Sequence, residues 1–513
     1  MVNRVKTASV IGLNAYEVSV ETDVINSLPG ISIVGLPDTS VNEAKDRVKS
    51  AIKNSGFTFP SKKVVVNLAP ADLKKNGTSF DLPIAIGILI EEEVLDFEKL
   101  KDYAFIGELS LDGMIRPVSG VLPLVIGLKE SGIKNIIVPK DNASEAALIE
   151  DVNIFGADHL ATVVNHFVET PISQTKTDVK KYLEESLNDY FQYDFKDVKG
   201  QQKAKKALEI SAAGAHNILM IGSPGSGKTM MAKCFPSILP PLEFSEALEL
   251  TKIYSICGLL SKDRPLMVNR PFRPVHHTAS ANGIIGGGTT PKPGEITLAH
   301  RGVLFLDEMV EFPRQVLEVL RQPLEDGEIV ISRAKHSIKY PAKFILLGAM
   351  NPCPCGYLGD KEKPCTCTDF QISRYLAKLS GPLLDRIDLQ INVPRLTPTE
   401  LINTNTAEED SASIRKRVIK ARQIQLERYK NDGILTNSEL TSDLIKKYCK
   451  VDETSKNLLK IAAQKYQLSG RRYDRILKLS RTLADLDNSE EIKSIHITQA
   501  LQYRMFSLEE YGK

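Results

Sequence analysis

The chain has 513 residues, of which 42% are hydrophobic and 25% charged, and its formal net charge at pH 7 is +2. This length exceeds what one hydrophobic core supports and predicts about three domains. A net charge so close to zero excludes binding of nucleic acid by the field of the whole molecule, so such a contact must depend on local basic patches. The longest apolar run, residues 82–90, is shorter than the roughly 20 residues that cross a bilayer. We therefore expect no membrane span and a cytoplasmic location.

Residues 1–168 alternate short strand-like runs with helical patterns, which predicts one compact α/β domain. Its segments KKNGTSFDLPIAIGIL and GELSLDGMIRPVSGVLPLVIGLKESGIKNIIVP resemble the protease domain of Lon, which has the ribosomal S5 domain 2-like fold. Those proteases use a Ser–Lys dyad, and Ser79 lies near the nucleophile position. Leu122 and Leu124 stand where the resemblance requires lysines, so no amine is present there to take the serine proton. We interpret the domain as a scaffold or substrate-gripping module without the protease dyad.

Three further regions follow in chain order. Residues 169–194 are polar and charged, which is typical of a linker. Residues 195–396 contain recurring apolar strands bounded by glycine, with helical segments between them, which predicts a parallel sheet with helices on both faces. Residues 397–513 are helix-periodic and rich in Lys, Arg, Glu and Leu, and are predicted to form a small helical lid.

The segment HNILMIGSPGSGKTMMAKC has the strand, glycine-rich loop and helix order that a P-loop requires. The loop consists of Gly222, Ser223, Pro224, Gly225, Ser226, Gly227, Lys228 and Thr229. In such a loop the backbone N–H groups surround the phosphates, the lysine reaches the β- and γ-phosphates, and the hydroxyl of the last residue ligates Mg²⁺. The sequence therefore predicts a site for ATP and Mg²⁺.

Two later strand patterns end in polar residues that complete such a site. GVLFL is followed by Asp307 and Glu308, and we expect Asp307 to hold the Mg²⁺ through water. Glu308 would orient and polarise the attacking water as a general base. FILLGAM is followed by Asn351, a neutral amide that could hold the water or the γ-phosphate. Each pattern is commonplace alone, so the assignment depends on their combination with the P-loop.

Four cysteines crowd into one loop, which does not resemble the dispersed pairing of a disulfide framework. They are Cys353, Cys355, Cys365 and Cys367. Four thiolates would suit tetrahedral Zn²⁺. The C-x-C spacing departs from the usual two-residue gap, and free reduced thiols remain the alternative.

The segment DGEIVISRAKHSIKY predicts two short strands around Arg333 and Lys335. Basic residues at the tip of such a hairpin would contact phosphates of DNA, which fix position and not sequence. The alternative is a solvated turn on an exterior hairpin.

Residues 195–510 resemble the AAA+ family that includes the magnesium-chelatase ATPase subunit, and within it the ComM/YifB proteins. The resemblance is carried by DVKGQQKAKKALEISAAGAHN, RPFRPVHHTASANGIIGGG, GEITLAHRGVLFLDEMVEF, MNPCPCG, SGPLLDRIDL and RTLADL. It implies hexameric rings with ATP held between subunits, so Arg386 is the expected finger that enters the neighbouring site. Arg471 resembles the second sensor on the lid. An ion pair of Arg386 with Asp385 or Asp388 is the structural alternative.

The resemblance also implies a substrate. ComM-like proteins are expected to be homo-hexameric DNA motors that drive branch migration of recombination intermediates during natural transformation, with single-stranded or branched DNA as the partner. The hairpin around Arg333 and Lys335 would then point into the pore. A chelatase-type remodeller that acts on a protein partner is the alternative. A binding scaffold without motor activity is disfavoured because every catalytic residue type is present.

Overall fold

The computed structural model describes residues 3–73, 75, 77–187, 191–288, 292–332, 337–360, 362–397 and 408–504. The chain divides into two compact units by its contacts. The first unit comprises Met1–Leu187 and Glu243–Val268, and the second comprises Asn188–Leu242 and Asn269–Lys513. The chain therefore passes between the units after Leu187, after Leu242 and after Val268. None of the described helices is long and apolar enough to cross a membrane.

A mixed sheet forms the centre of the first unit. Its strands, in spatial order, are Gln174–Thr175, Asn153–Ala157, Asn135–Pro139, Tyr103–Phe105, Asn3–Ile11, Asn14–Ile25, Lys63–Ala69 and Gly30–Val34. Along one central strand Ile137 joins one apolar core, whereas Ile136 and Val138 join another. Since successive strand residues point to opposite faces, both faces of the sheet are covered. A short strand pair, Glu108–Leu109 with Ile115–Arg116, lies outside this sheet.

Helices cover the two faces. The helices of the first unit are Thr39–Asn54, Asp81–Glu91, Phe97–Leu100, Val121–Glu130, Ala143–Ala146, Leu160–Val168, Val179–Leu187 and Phe244–Cys257. The last of these helices, Phe244–Cys257, comes from within residues 195–396, the predicted ATPase core, yet it belongs to the first unit and packs on its helix Val121–Glu130. The Ser255 hydroxyl donates to the buried carboxylate of Glu145, whose pKa is raised by burial.

A parallel sheet forms the centre of the second unit, as predicted. Its strands, in spatial order, are Phe272–Val275, Val303–Leu306, Ile345–Met350, Ile218–Ile221 and Leu389–Asn392. Their apolar sequences suit strands that are buried on both faces. Parallel strands direct their carboxyl ends to one edge, so the loops that follow Ile221, Leu306 and Met350 converge there.

The remaining elements of the second unit are helices and small antiparallel pairs. The helices of the core are Gln202–Gly214, Lys228–Cys234, Ala281–Ile285, Glu295–Leu298, Arg314–Val319, Arg321–Asp326, Asp369–Leu376 and Gly381–Leu384. Those of the predicted lid are Ser411–Arg428, Ser442–Tyr448, Glu453–Tyr466, Gly470–Leu486 and Ser494–Arg504. The strand pairs are Gly286–Gly287 with Lys292–Pro293 and Glu328–Ser332 with Ser337–Pro341. One apolar core joins lid residues such as Ile414 to sheet residues such as Leu347.

Candidate nucleotide-binding site

The P-loop leaves the sheet between two neighbouring strands. Gly222 donates its N–H to Met350 O, at 3.2 Å. A Cβ atom on Gly222 would lie 2.1 Å from Val393 O, so a side chain has no room at this position. Gly225 and Gly227 have φ angles of 78° and 92°, which L-residues other than glycine rarely adopt. The glycine spacing of the motif is thus required by the path of the backbone.

Lys228 begins the helix that follows the loop, and its side chain turns back into the loop. Its Nζ donates to Gly222 O at 2.7 Å and to Ser223 O at 3.0 Å. Burial lowers the pKa of Lys228 to about 8, while the Asp307 carboxylate acts in the opposite direction. The ammonium group therefore lies among carbonyl oxygens, where the phosphates of a nucleotide would offer a stronger partner.

The predicted magnesium residues lie side by side. The Thr229 hydroxyl donates to Asp307 Oδ2 at 2.8 Å, and the backbone N–H of Glu308 donates to Asp307 Oδ1 at 2.9 Å. Magnesium in nucleotide sites uses one or two protein oxygens together with water and phosphate oxygens. The adjacent hydroxyl and carboxylate therefore fit a Mg²⁺ ion bound together with a nucleotide.

Glu308 directly follows Asp307 beyond the end of strand Val303–Leu306, and it has a left-handed backbone conformation with φ of 49°. Such a conformation costs free energy in a residue with a Cβ atom, and it is common at functional sites. The Glu308 side chain is 60% exposed, and its Oε2 lies 3.6 Å from Nδ1 of His277. Nothing in the sequence around His277 indicates a contact with Glu308. The two residues come together because strands Phe272–Val275 and Val303–Leu306, which precede them, pair in parallel.

Asn351 lies at the end of the strand between those of the P-loop and of Asp307. Its Oδ1 lies 3.4 Å from Lys228 Nζ. The structure thus brings the P-loop lysine, the two predicted acids and this amide to one edge of the sheet.

The two predicted arginines share one acidic partner in the same chain. Arg386 forms an ion pair with Glu325 and donates to Pro382 O, and Arg471 Nη2 lies 3.0 Å from the other carboxylate oxygen of Glu325. Burial is the main cause that lowers the pKa of Arg386. The sequence suggested Asp385 or Asp388 as the structural ion-pair partner of Arg386. The structure instead pairs these two acids with Arg472 and Arg475, respectively.

The cysteine loop packs on the P-loop. The Sγ atoms of Cys353, Cys355, Cys365 and Cys367, hereafter the four-cysteine cluster, all lie within 4.8 Å of one another. Gly356 lies against Pro224, since a Cβ atom on Gly356 would be 2.7 Å from the proline ring. This contact between a candidate metal site and the nucleotide loop could not be read from the sequence.

The predicted strand pair Glu328–Ser332 and Ser337–Pro341 is confirmed as an antiparallel hairpin. Arg333 and Lys335, the predicted DNA contacts, lie outside the described residues. Near the base of the hairpin, Lys339 Nζ forms an ion pair with Glu328 at 2.8 Å.

In the first unit, Ser79 is 9% exposed and lies in the turn before helix Asp81–Glu91. Leu122 and Leu124 are buried on helix Val121–Glu130. The positions where a protease would carry its lysine therefore belong to the apolar interior.

The parallel sheet, the P-loop and the convergent acids define an AAA+ ATPase core followed by a helical domain. Models of magnesium-chelatase families match along most of the chain: "Magnesium chelatase, subunit ChlI" at residues 194–401, "Subunit ChlI of Mg-chelatase" at 20–142 and "Magnesium chelatase, subunit ChlI C-terminal" at 408–504.

Individual relatives match over nearly the whole chain or over part of it. Competence protein ComM of Haemophilus influenzae is 45% identical over 96% of this chain and 95% of its own length. YifB of Escherichia coli strain K12 is 44% identical, over 98% of this chain and 96% of its own length. The magnesium-chelatase 38 kDa subunit of Rhodobacter capsulatus is 28% identical over 31% of this chain and 50% of its own length. The chain belongs to the ComM/YifB family of magnesium-chelatase subunit I-like AAA+ ATPases.

Proposed function

We propose that the protein is an ATP-driven, homo-hexameric motor that acts on branched or single-stranded DNA and drives branch migration of recombination intermediates in natural transformation. The observation that carries this proposal is the similarity to Competence protein ComM, which extends over 96% of the chain and so includes the hairpin segment as well as the nucleotide site. A motor needs both an ATPase and a surface that holds the substrate, and the aligned length includes the segments to which we assign these two tasks.

We assign the chemistry to residues at the edge of the parallel sheet. Lys228 binds the β- and γ-phosphates, Thr229 and Asp307 hold Mg²⁺, Glu308 activates water and Asn351 senses the γ-phosphate. Arg386 acts on the ATP of the neighbouring subunit, and Arg471 contacts nucleotide from the lid. In this proposal the ion pair of Arg386 with Glu325 of its own chain breaks, and Arg386 then stabilises the negative charge that develops on the transferred phosphoryl group.

We propose that the chain consists of an N-terminal module at residues 1–168, a linker at 169–194, the ATPase core at 195–396 and the lid at 397–513. The N-terminal module grips or guides the substrate, and Arg333 and Lys335 hold the DNA backbone in the pore. ATP and Mg²⁺ are the cofactors. The reduced thiols of the four-cysteine cluster are compatible with a cytoplasmic location, which we include in the proposal.

A remodelling ATPase that acts on a protein partner is the second candidate, and the magnesium-chelatase models that match both units favour it. ATP hydrolysis measured with forked DNA, three-stranded DNA, blunt duplex or no DNA separates the two candidates. The DNA motor predicts stimulation by the branched substrates and movement of a labelled strand, both absent from Lys228→Ala. A hydrolysis rate that no DNA changes would contradict the motor and favour the remodeller.

A further inference from the structure

The four-cysteine cluster has the dimensions of a metal site. Cys353 Sγ lies 3.4 Å from Cys355 Sγ and 3.7 Å from Cys365 Sγ, and Cys355 Sγ lies 3.5 Å from Cys365 Sγ. In a tetrahedral zinc site with Zn–S bonds of about 2.3 Å, the sulfurs are about 3.8 Å apart. A disulfide would need about 2.05 Å. The observed spacing fits four thiolates around one ion.

Backbone groups support this arrangement. Cys355 N–H donates to Cys367 Sγ at 3.3 Å, and Cys367 N–H donates to Cys365 Sγ at 3.4 Å. Such hydrogen bonds orient sulfur ligands and stabilise their negative charge. A tight turn, closed by Gly356 N–H and Cys353 O at 2.9 Å, brings the first two cysteines round, which explains how a C-x-C pair can serve one ion.

The loop that holds the cluster is also a wall of the nucleotide site. Gly356 lies against Pro224 of the P-loop. Asp360 lies beside Ser223, and this neighbour is the main cause that lowers the pKa of the Asp360 carboxyl. Cys353 follows Asn351 by two residues, so the sensor amide and the first sulfur are on one short piece of chain.

The far end of the loop returns to the same place. The capped helix Asp369–Leu376 follows Cys367 and its capping residue Thr368, and the buried Tyr375 of this helix lies close enough to the backbone of Asn351 to influence the pKa of the phenol. Both ends of the cysteine loop are therefore fixed beside the sensor residue, while its middle touches the P-loop.

We propose that the four-cysteine cluster binds one Zn²⁺ ion, and that this ion fixes the shape of the P-loop and the position of Asn351 for nucleotide binding. The second part rests on the proposed nucleotide site. Metal binding at the cluster releases free energy that stabilises the loop, and Gly356 transmits the position of the loop to Pro224 through direct contact.

The first test measures zinc in protein purified without added metal. We expect about one zinc ion per chain, as for structural four-cysteine sites, and loss of the metal in Cys365→Ser with Cys367→Ser. Cys257→Ser is the matched control, since it removes a thiol on a helix of the first unit and should keep the zinc. Zinc-free protein, whether its cysteines are reduced or paired as disulfides, would overturn the proposal.

The second test separates the metal from its effect on nucleotide. Gly356→Ala keeps all four sulfur ligands but places a methyl group against Pro224, so zinc should remain while the affinity for a fluorescent ADP analogue falls about tenfold. Gly433→Ala is the control, because Gly433 has a similarly left-handed φ of 69° and nothing within 4 Å of an added Cβ.

Removing zinc from the wild-type protein should weaken ADP binding about as much, and adding Zn²⁺ back should restore it. If Gly356→Ala and the zinc-stripped wild-type protein both bind ADP as tightly as the zinc-loaded wild type, the coupling is wrong. Failure of the wild-type protein to bind ADP would instead contradict the proposed ATPase, and the zinc measurement would still stand. Thermal melting of each variant identifies those that fail to fold, and the stripped wild-type protein then carries the test.

Discussion

Lys228 and Glu308 have different tasks in the proposed reaction, and their variants should differ accordingly. Lys228→Ala removes the ammonium that contacts phosphate, so both nucleotide binding and turnover should be lost. Glu308→Gln removes only the activator of water, so ATP should bind and remain uncleaved. Equilibrium binding and single-turnover hydrolysis distinguish these outcomes.

Lys233→Ala is the matched control, since it removes the same charge from the same helix but lies on an exposed face near Tyr193. It should bind and hydrolyse ATP as the wild type does. An equal loss of ATP affinity in the Lys228 and Glu308 variants would contradict the assigned roles.

The pKa of Lys228 predicts how nucleotide affinity depends on pH. Its pKa is lowered to about 8 in the nucleotide-free protein, so the ammonium loses its proton as the pH rises through that value. Only the charged form attracts phosphate, so ATP affinity should be full below the pKa and fall towards about tenfold per pH unit above it. Binding near the pKa should also take up a proton.

Isothermal titration in buffers of different ionisation enthalpy measures both effects. Lys228→Arg is the control, because a guanidinium stays protonated throughout this range and its affinity should not depend on pH in this way. An affinity of the wild-type protein that stays constant between roughly pH 7 and pH 10 would contradict the prediction.

Residue identities at the site could be predicted wherever a strand or loop motif fixes them. Lys228, Thr229 and Asp307 come together because a P-loop and a neighbouring parallel strand leave little freedom in where their first residues lie. The partners His277 and Glu325 could not be predicted, because their contacts depend on how separate segments pack and no spacing in the chain records it.

At the scale of elements, Arg333 and Lys335 lie in sequence between the paired strands Glu328–Ser332 and Ser337–Pro341. Changing both to Ala should leave basal ATP hydrolysis within about twofold, since the chemistry lies at the sheet edge. Stimulation by DNA and strand movement should be lost, and the salt dependence of binding should fall by roughly one unit of slope for each lost phosphate contact.

Lys339→Ala is the control on the same hairpin, because this lysine is occupied by the ion pair with Glu328. It should keep DNA stimulation. If the ratio of stimulated to basal rate is unchanged in the double variant, the hairpin does not engage DNA.

Elements of the second unit were predictable because buried parallel strands are continuous apolar runs. The strand Ile218–Ile221 is entirely buried, and it coincides with the apolar run ILMI that precedes the P-loop glycines in the sequence. The long strands Asn3–Ile11 and Asn14–Ile25 of the first unit were not singled out, because exposed polar residues interrupt their apolar positions. Their antiparallel pairing with each other stabilises them as strands, and this pairing is not visible in their composition.

At the scale of the whole molecule, the ring hypothesis predicts rescue between defective subunits. Arg386→Ala subunits keep an intact P-loop, and Lys228→Ala subunits keep an intact finger. A mixture of the two should recover part of the hydrolysis, because some interfaces pair the intact halves. Each variant alone should be inactive under the same conditions.

A mixture of Lys228→Ala with Glu308→Gln subunits is the control, since each of its sites is defective in its own chain and no arrangement restores one. Hydrolysis that stays at background in the Arg386 mixture would leave this arginine with its structural role beside Glu325.

The sequence could not predict that Glu243–Val268 belongs to the first unit, because this segment lies inside the predicted ATPase core. Apolar periodicity indicates that Phe244–Cys257 is a helix, but it does not indicate which surface the helix covers. That choice depends on particular contacts, among them the hydrogen bond from Gly120 N–H to Ser255 O at 2.9 Å.

The packing of this helix limits where recombination between genes can separate the two units. Recombination between genes within residues 169–194 would separate the N-terminal module from helix Phe244–Cys257, which contacts its Glu145. The ATPase product would keep this helix without the surface on which it packs. Exchange of domains between genes at that position would therefore damage both products. We expect the two units to share one evolutionary history, so that their sequences diverge together across relatives.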